Sequence, residues 1–426
     1  MNNIKDVRLE KEILPLFDFV YNDFSRDTLI ELLSDIPGSI EEVLGRQHII
    51  QYMVSNKALH APFFYFKSEF SDIHAYLEGL KSRGLRFSGT SLRIHLLFTP
   101  KERNKDAGRL SHLVIFFHRI YQSWFSHLDE EKFPEAFARK VKNIKLFLSD
   151  LGVLKYQPAA QKRGVNIAEI ATLNEFLLQK IRKGEMDVFL KDFFLFEAYL
   201  SIAKGIIRHK FVFPQFNDQR LSIDGFYHPL LKHPVRNSLE KQGCVTLITG
   251  PNMSGKSTLL KAIGICVLLA HLGLAVPAEQ CTLPFFDMIS ISINLNDDIG
   301  SGFSHFMTEI KSLKEVVVEA HHGKRCFAVF DELFRGTNVE DALAISKTTI
   351  TGLTKFSGSC FFISTHIHQL KEAIDLNKNN IGTQFIECIL ENNTPIFTYK
   401  LREGWSDLKI GQLLFEQEGL NQLLAK

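Results

Sequence analysis

One octapeptide restricts this chain more than anything else in it: Gly250-Pro251-Asn252-Met253-Ser254-Gly255-Lys256-Ser257, followed by Thr258 and an apolar helical run. It comes directly after Val245–Thr249, a short apolar stretch that predicts a buried strand. A strand, a glycine-bounded loop ending in Gly-Lys-Ser and a helix form the P-loop pattern in its required context. Glycines let consecutive backbone N–H groups curl around phosphate oxygens, and the helix that starts there directs its positive dipole end at them. Gly250, Pro251, Asn252, Met253, Ser254, Gly255, Lys256, Ser257 and Thr258 are therefore the expected nucleotide-binding residues. Lys256 is expected to reach the β and γ phosphates, and Ser257 to offer its hydroxyl to Mg²⁺.

Two further apolar runs end in chemistry. Cys326–Phe330 leads into Asp331-Glu332, and adjacent carboxylates at the edge of a buried strand are poorly tolerated by packing alone. Asp331 is expected to hold Mg²⁺ through its water shell, and Glu332 to polarise the attacking water as the base. Cys360–Ser364 leads into Thr365-His366, which makes His366 the expected γ-phosphate sensor. His321-His322 reads as an exposed helix end with no role.

Around these runs, Phe306, Ile310, Leu313, Val317 and Ala320 mark one helical face. Val339, Ala342, Leu343, Ser346, Ile350 and Leu353 mark another. Strands alternating with helices imply an α/β domain on a largely parallel sheet, from residue 213 to 426. Residues 1–212 read instead as an all-helical scaffold. Its clearest helix start is Ser39, with Glu42 at capping-box spacing after Pro37-Gly38, and Val188–Ile207 predicts a long helix. Punctuation predicts loops from Gly84 to Gly108 and from Gln157 to Gly164.

At 426 residues, two or three domains are expected, and 45% hydrophobic with 23% charged residues excludes a disordered chain or a rod. The formal net charge of +2 gives no global pull on a polyanion, so any nucleic-acid contact must be local. Six cysteines without a Cys-x-x-Cys pair read as free thiols in a reducing compartment, and the N-terminus shows no signal-peptide pattern. Charges interrupt both greasy stretches, 110–128 and 188–207, so neither is expected to span a bilayer, and a cytoplasmic location is expected.

Taken in order, several segments together resemble the ATPase domain of the MutS family of DNA mismatch repair proteins. They are Gly250–Thr258, Val276-Pro277-Ala278, Asp297–Glu309 with its Phe306-Met307-Thr308-Glu309, Phe330–Thr337 with its Arg335-Gly336-Thr337, and Ser364-Thr365-His366. Tyr227–Leu231 with Asn237 looks like the family's lead-in, and Tyr399 to Leu420 like its closing segment. Arg26 to Val54 and Lys191 to Phe216 look like the first and last parts of its helical core. The resemblance implies a helical core or lever domain followed by a P-loop NTPase domain of the ABC type, with ATP and Mg²⁺ as ligands. It implies a homodimer paired head to tail through the ATPase domains, with Ser304 capping the γ-phosphate of the opposite subunit and Arg335 to Asp341 along the junction. The implied activity is Mg-dependent ATP hydrolysis at a shared site, acting on DNA in mismatch repair or related repair and recombination, with a repair protein as a further partner.

The chain also departs from the family. It is expected to begin almost directly in the core, without the mismatch-reading domain, and sequence-nonspecific DNA contact is expected. Phe303, His305 and Leu333-Phe334 replace common family residues, the last pair standing where isoleucine-glycine or leucine-glycine is usual. Pro234 or Val235 lies near the position of the family's adenine-stacking aromatic, which implies loose base selectivity. Two basic clusters are candidates for phosphate contact: Lys101, Arg103, Lys105 and Arg109, and Arg139, Lys140, Lys142 and Lys145. An ATP-gated protein interaction module that never touches nucleic acid is the alternative. A transporter ATPase is disfavoured because no Leu-Ser-Gly-Gly-Gln-like run is present.

Overall fold

The computed structural model describes residues 4, 7–83, 89–218, 220–293, 305–334, 337–376, 380–391, 394–408 and 410–424. The chain forms two compact units, one of Leu14–Asp35 with Gly45–Arg208, the other of His209–Lys426 with Met1–Ile13 and Ile36–Leu44.

The first unit is helical and organised on the helix Glu185–His209. Its Phe189, Phe193, Phe196, Leu200, Ala203 and Ile206 are buried, and so are Leu190, Ala198 and Ile202 on other faces. A helix apolar all round belongs at the centre of a bundle rather than on its surface. Much of the chain's large phenylalanine complement gathers on it: Phe147 stacks on Phe189 at 4.0 Å, Phe125 lies 4.6 Å from Phe196, and Trp124 stacks on Phe193 at 6.2 Å.

One charge sits inside this apolar centre. Glu197 is 2% exposed, and its carboxylate accepts from the Tyr21 N–H, Asn22 Nδ2, Ser25 Oγ and the Tyr65 hydroxyl, each at 2.8 Å. Three of these donors converge on Oε2 and one reaches Oε1, so the carboxylate is enclosed by groups of its own unit. Burial raises its pKa, opposed by those hydrogen bonds.

The two loops expected from punctuation are largely helical, although residues 84–88 of the first lie outside the described residues and Arg163-Gly164 of the second leave the helix as expected. Gly89–Phe98 and Pro100–Ser123 are helices, with Pro100 at the first helical position, where its missing N–H costs nothing. Gly108 lies inside the second of them, exposed and tolerated. Val153–Lys162 is a helix despite an internal Pro158, because Val153, Tyr156 and Ala160 bury one face. The long helix expected over Val188–Ile207 is present within Glu185–His209, and Ser39 Oγ accepts from the Glu42 N–H at the start of Ile40–Ser55.

The second unit carries ten strands among the described residues. These are β1 (Gln215–Phe216), β2 (Ser222–Phe226), β3 (Asn237–Glu240), β4 (Val245–Thr249), β5 (Gln280–Leu283), β6 (Met288–Ser292), β7 (Cys326–Phe330), β8 (Cys360–Ser364), β9 (Ile381–Glu391) and β10 (Thr394–Glu403). Six form one sheet in the order β10-β9-β4-β8-β7-β6, parallel except for the β9–β10 hairpin. Every residue of β4, β6, β7 and β8 is buried, as continuous Val/Ile/Phe-rich runs in a sheet covered on both faces should be. The other sheet, β1-β5-β2-β3, is short and mixed.

The helix Lys256–His271 is almost wholly buried. His305–His321 and Val339–Leu353 pack Val316, Ala320, Ala342, Ile350 and Leu353 against β7 and β8 in one apolar cluster. Val339, expected on that buried face, is exposed. All six cysteines are free, four of them buried.

Candidate functional site

Parallel strands in register bring their carboxyl ends to one edge, and in such sheets that edge is where ligands bind. β4 pairs with β8 through Ile248 and Ser364, and β8 with β7 through Ile363 and Phe330. The three polar motifs that follow these strands are thereby collected side by side.

After β4 the loop turns through Gly250 (φ 138°), Met253 (φ 69°) and Gly255 (φ 96°), the last capping the helix Lys256–His271. A Cβ at Gly250 would stand 3.1 Å from Ser254 Oγ and 3.2 Å from the Ile386 carbonyl, so φ and space both select glycine there. Ser254 is fully buried, and its hydroxyl has no hydrogen-bond partner among the described residues. Lys256 is folded inward: its ammonium donates to the carbonyls of Gly250 (3.0 Å) and Pro251 (3.3 Å) and lies 3.7 Å from Glu332 Oε1.

After β7, the Asp331 carboxylate accepts from the hydroxyls of Ser364 and Ser257. Burial raises the Asp331 pKa, those two hydroxyls pull it down, and the neighbouring Glu332 charge pushes it up, with a net rise. Glu332 follows with φ 52°, and its N–H donates to Ser364 Oγ at 2.8 Å. His366 is half exposed, with Nδ1 4.0 Å from Glu332 Oε2. Lys256, Ser257, Asp331, Glu332 and His366 thus meet at one sheet edge. Ser304 lies outside the described residues, as do Arg335 and Gly336.

Two depressions flank the loop. One, about 310 Å³, is lined by Asn252, Met253, Gly255, Lys256, Ser257, Thr258 and Glu332. The other, about 350 Å³, shares Gly255 and Thr258 and is walled by Tyr227, His228, His233, Val235 and Tyr399. The resemblance points to this second depression only through Val235, and does not single out Tyr399 as part of its wall. Tyr399 reaches it from a bulge in β10, with φ 57°, pinned on both sides by Asn237: Nδ2 donates to the Tyr399 carbonyl at 3.1 Å, and Oδ1 accepts from the Leu401 N–H at 2.9 Å.

Asp331 and Ser257 are hard oxygen donors of the kind Mg²⁺ takes, with phosphate and water completing its shell. Among the described residues no group of three His, Cys, Asp or Glu side chains forms a self-sufficient metal cage. The orphaned Ser254 hydroxyl, the inward ammonium and the helix N-terminus suit a polyphosphate.

The MutS domain V family model matches residues 246–421. Among curated relatives, the DNA mismatch repair protein MutS of Geobacillus sp. (strain WCH70) is 34% identical over 213 residues, covering 48% of this chain and 24% of that protein. Over residues 246–421 the chain is similar to the MutS family. MutS of Shouchella clausii is 30% identical over 279 residues, covering 63% of this chain and 30% of that protein. MutS of Thermotoga maritima is 26% identical over 328 residues, or 74% and 40%. The chain therefore spans between 24% and 40% of the length of these MutS relatives.

The two basic clusters differ in what surrounds them. In the second, Lys140 pairs with buried Asp192 at 2.9 Å, Lys145 with Glu130 at 2.5 Å, and Arg139 with Glu135 at 3.7 Å. In the first, Lys101, Lys105 and Arg109 are exposed at successive i,i+4 positions on the helix Pro100–Ser123, and none forms an ion pair with a described residue. Glu102, which interrupts them, is engaged by His95 at 2.8 Å. No helix among the described residues is long and apolar enough to cross a membrane.

Proposed function

We propose that this chain binds and hydrolyses ATP with Mg²⁺ and couples that cycle to DNA, in mismatch repair or a related repair or recombination process in the cytoplasm. The convergence of Lys256, Ser257, Asp331 and Glu332 at one sheet edge is the observation that carries the reading. In it, residues 213–426 are a P-loop ATPase domain and residues 1–212 a helical core or lever-like domain.

Backbone N–H groups of Gly250 to Thr258 hold the phosphates, and Lys256 exchanges its two loop carbonyls for β and γ oxygens. Mg²⁺ held by Ser257 and Asp331 supplies charge neutralisation on the phosphates. Glu332 takes the proton of the attacking water, and His366 lies close enough to orient that carboxylate. The aromatic-walled depression beside the loop suits a stacked base, and Tyr227, His228, His233 and Tyr399 provide faces that Pro234 and Val235 do not. The ATPase domains pair as a homodimer in which Ser304 caps the partner subunit's γ-phosphate. DNA is contacted without base reading through exposed Lys101, Lys105 and Arg109, whereas Lys140 and Lys145 of the second cluster are held by Asp192 and Glu130. A repair protein is a further partner.

The test is turnover of ATP by the purified chain across duplex, mismatched, branched and single-stranded DNA at two salt concentrations. Mg-dependent hydrolysis with salt-sensitive DNA stimulation is expected. Absence of both hydrolysis and DNA binding sinks the reading.

A further inference from the structure

The turn that follows β7 is held in an unusual shape. Two residues without glycine's freedom sit in the left-handed region, Glu332 at φ 52° and Phe334 at φ 68°. Such a conformation persists only where the surroundings impose it, and here each residue's N–H is captured by a buried side chain from a neighbouring element. Glu332 N–H donates to Ser364 Oγ, at the end of β8, at 2.8 Å. Phe334 N–H donates to Glu309 Oε2, on the helix His305–His321, at 2.9 Å. Ser364 is 0% exposed and Glu309 2%. The Phe334 ring is itself buried and meets Phe306 of the same helix edge to face at 6.2 Å.

Ser364 does more than accept. The same hydroxyl donates its proton to Asp331 Oδ1, so one side chain ties the proposed metal-holding carboxylate to the backbone of the proposed base. If that hydroxyl is lost, Asp331 and Glu332 are positioned independently. On the other side, Glu309 and Phe334 tie the turn to the helix His305–His321.

We infer that Ser364 and Glu309 are positioning residues that clamp the hydrolytic turn from two sides, with Phe334 keying it to the helix His305–His321. This rests on the ATPase reading of the same site. Grip on the phosphates belongs to the loop after β4, so the clamp governs turnover rather than nucleotide affinity.

The experiment measures kcat, nucleotide affinity without metal, and the Mg²⁺ concentration for half-maximal turnover in the full chain. Ser364→Ala is expected to lower kcat about tenfold and raise the Mg²⁺ requirement, with metal-free affinity within about twofold of wild type, while Ser364→Thr keeps the hydroxyl and recovers turnover. Glu309→Leu is expected to lower kcat about tenfold, while Glu309→Gln, which keeps a side-chain oxygen to accept from the Phe334 N–H, is expected to recover most of that loss. A Ser364→Ala protein that melts like wild type and keeps its kcat and Mg²⁺ requirement overturns the inference. So does a folded Glu309→Leu that turns over at the wild-type rate. If Glu309→Leu does not fold, the Ser364 pair decides. A wild-type chain with no turnover under any condition removes the ATPase reading itself, which is a different result.

Discussion

Glu197 and the pair Asp331-Glu332 are acidic groups set among apolar side chains, one in the helical unit and the other at the edge of the parallel sheet, and they are treated in opposite ways. Glu197 is 2% exposed and accepts from four donors of its own unit. Glu332 lines a depression of about 310 Å³ beside an ammonium and a half-exposed histidine. A carboxylate enclosed by its own unit's donors fixes a core. One that opens onto a cavity has capacity for water, metal or substrate. Burial alone does not separate the two cases, and the count and direction of donors does.

The largest expected effect comes from exchanging the two acids. Glu332→Gln should reduce ATP turnover by about 100-fold or more in single-turnover assays while leaving thermal unfolding unchanged. Glu197→Leu should do the reverse: it strands four donors in an apolar core and should cost about 3 kcal/mol or more of stability by denaturant titration, with turnover surviving wherever the protein is folded. If Glu197→Leu abolished turnover in a fully folded protein, the distinction between the two acids would fail.

The two units should also respond to pH in opposite directions. Burial raises the Glu197 pKa above its ordinary 4.5, so the folded state keeps that proton at pH values where the unfolded chain has lost it. Its contribution is complete below about pH 4.5 and is lost as pH rises through the folded value. His271, in the sheet unit, is lowered from 6.5 to about 4 by burial. Its Nδ1–H donates to the Val267 carbonyl at 2.8 Å, and its Nε2 accepts from the Phe286 N–H at 2.9 Å, an arrangement that needs a neutral ring. The unfolded chain takes up that proton first, so roughly 3 kcal/mol of stability should disappear as pH falls from 6.5 through about 4. Chemical denaturation across pH checks both, with Glu197→Gln and His271→Gln each flattening its own limb.

The smallest expected effect separates the basic clusters. Lys101→Ala with Lys105→Ala should lower the slope of log affinity for duplex DNA against log salt by about 2, with little change in stability. Lys140→Ala should leave that slope unchanged and destabilise the fold by unpairing Asp192.

How far these features were legible depends on the distance over which their cause acts. β4, β7 and β8 were readable to the residue because each is a five-residue apolar run ending in a polar motif, and the cause is local. Gly89–Phe98, Pro100–Ser123 and Val153–Lys162 were not, because packing of Leu92, Leu96, Leu113 and Tyr156 outweighs glycine and proline punctuation. The Glu197 network joins residues up to 176 positions apart, beyond any local pattern. Tyr399 owes its place to a bulge held by Asn237, 162 positions away, and the period-two pattern of β10 does not disclose it. Leu333-Phe334 was visible as a departure from the family, but its consequence, a phenylalanine at φ 68° pinned by Glu309, appears only in three dimensions.

The central claim is that a nucleoside triphosphate is held by the turn between β4 and its helix. Equilibrium titration of the wild-type chain and of Lys256→Ala with ATP tests it most directly. The account predicts saturable binding of one ATP per wild-type chain and an affinity about 100-fold weaker in a folded Lys256→Ala. Equal affinity in the two proteins would contradict it.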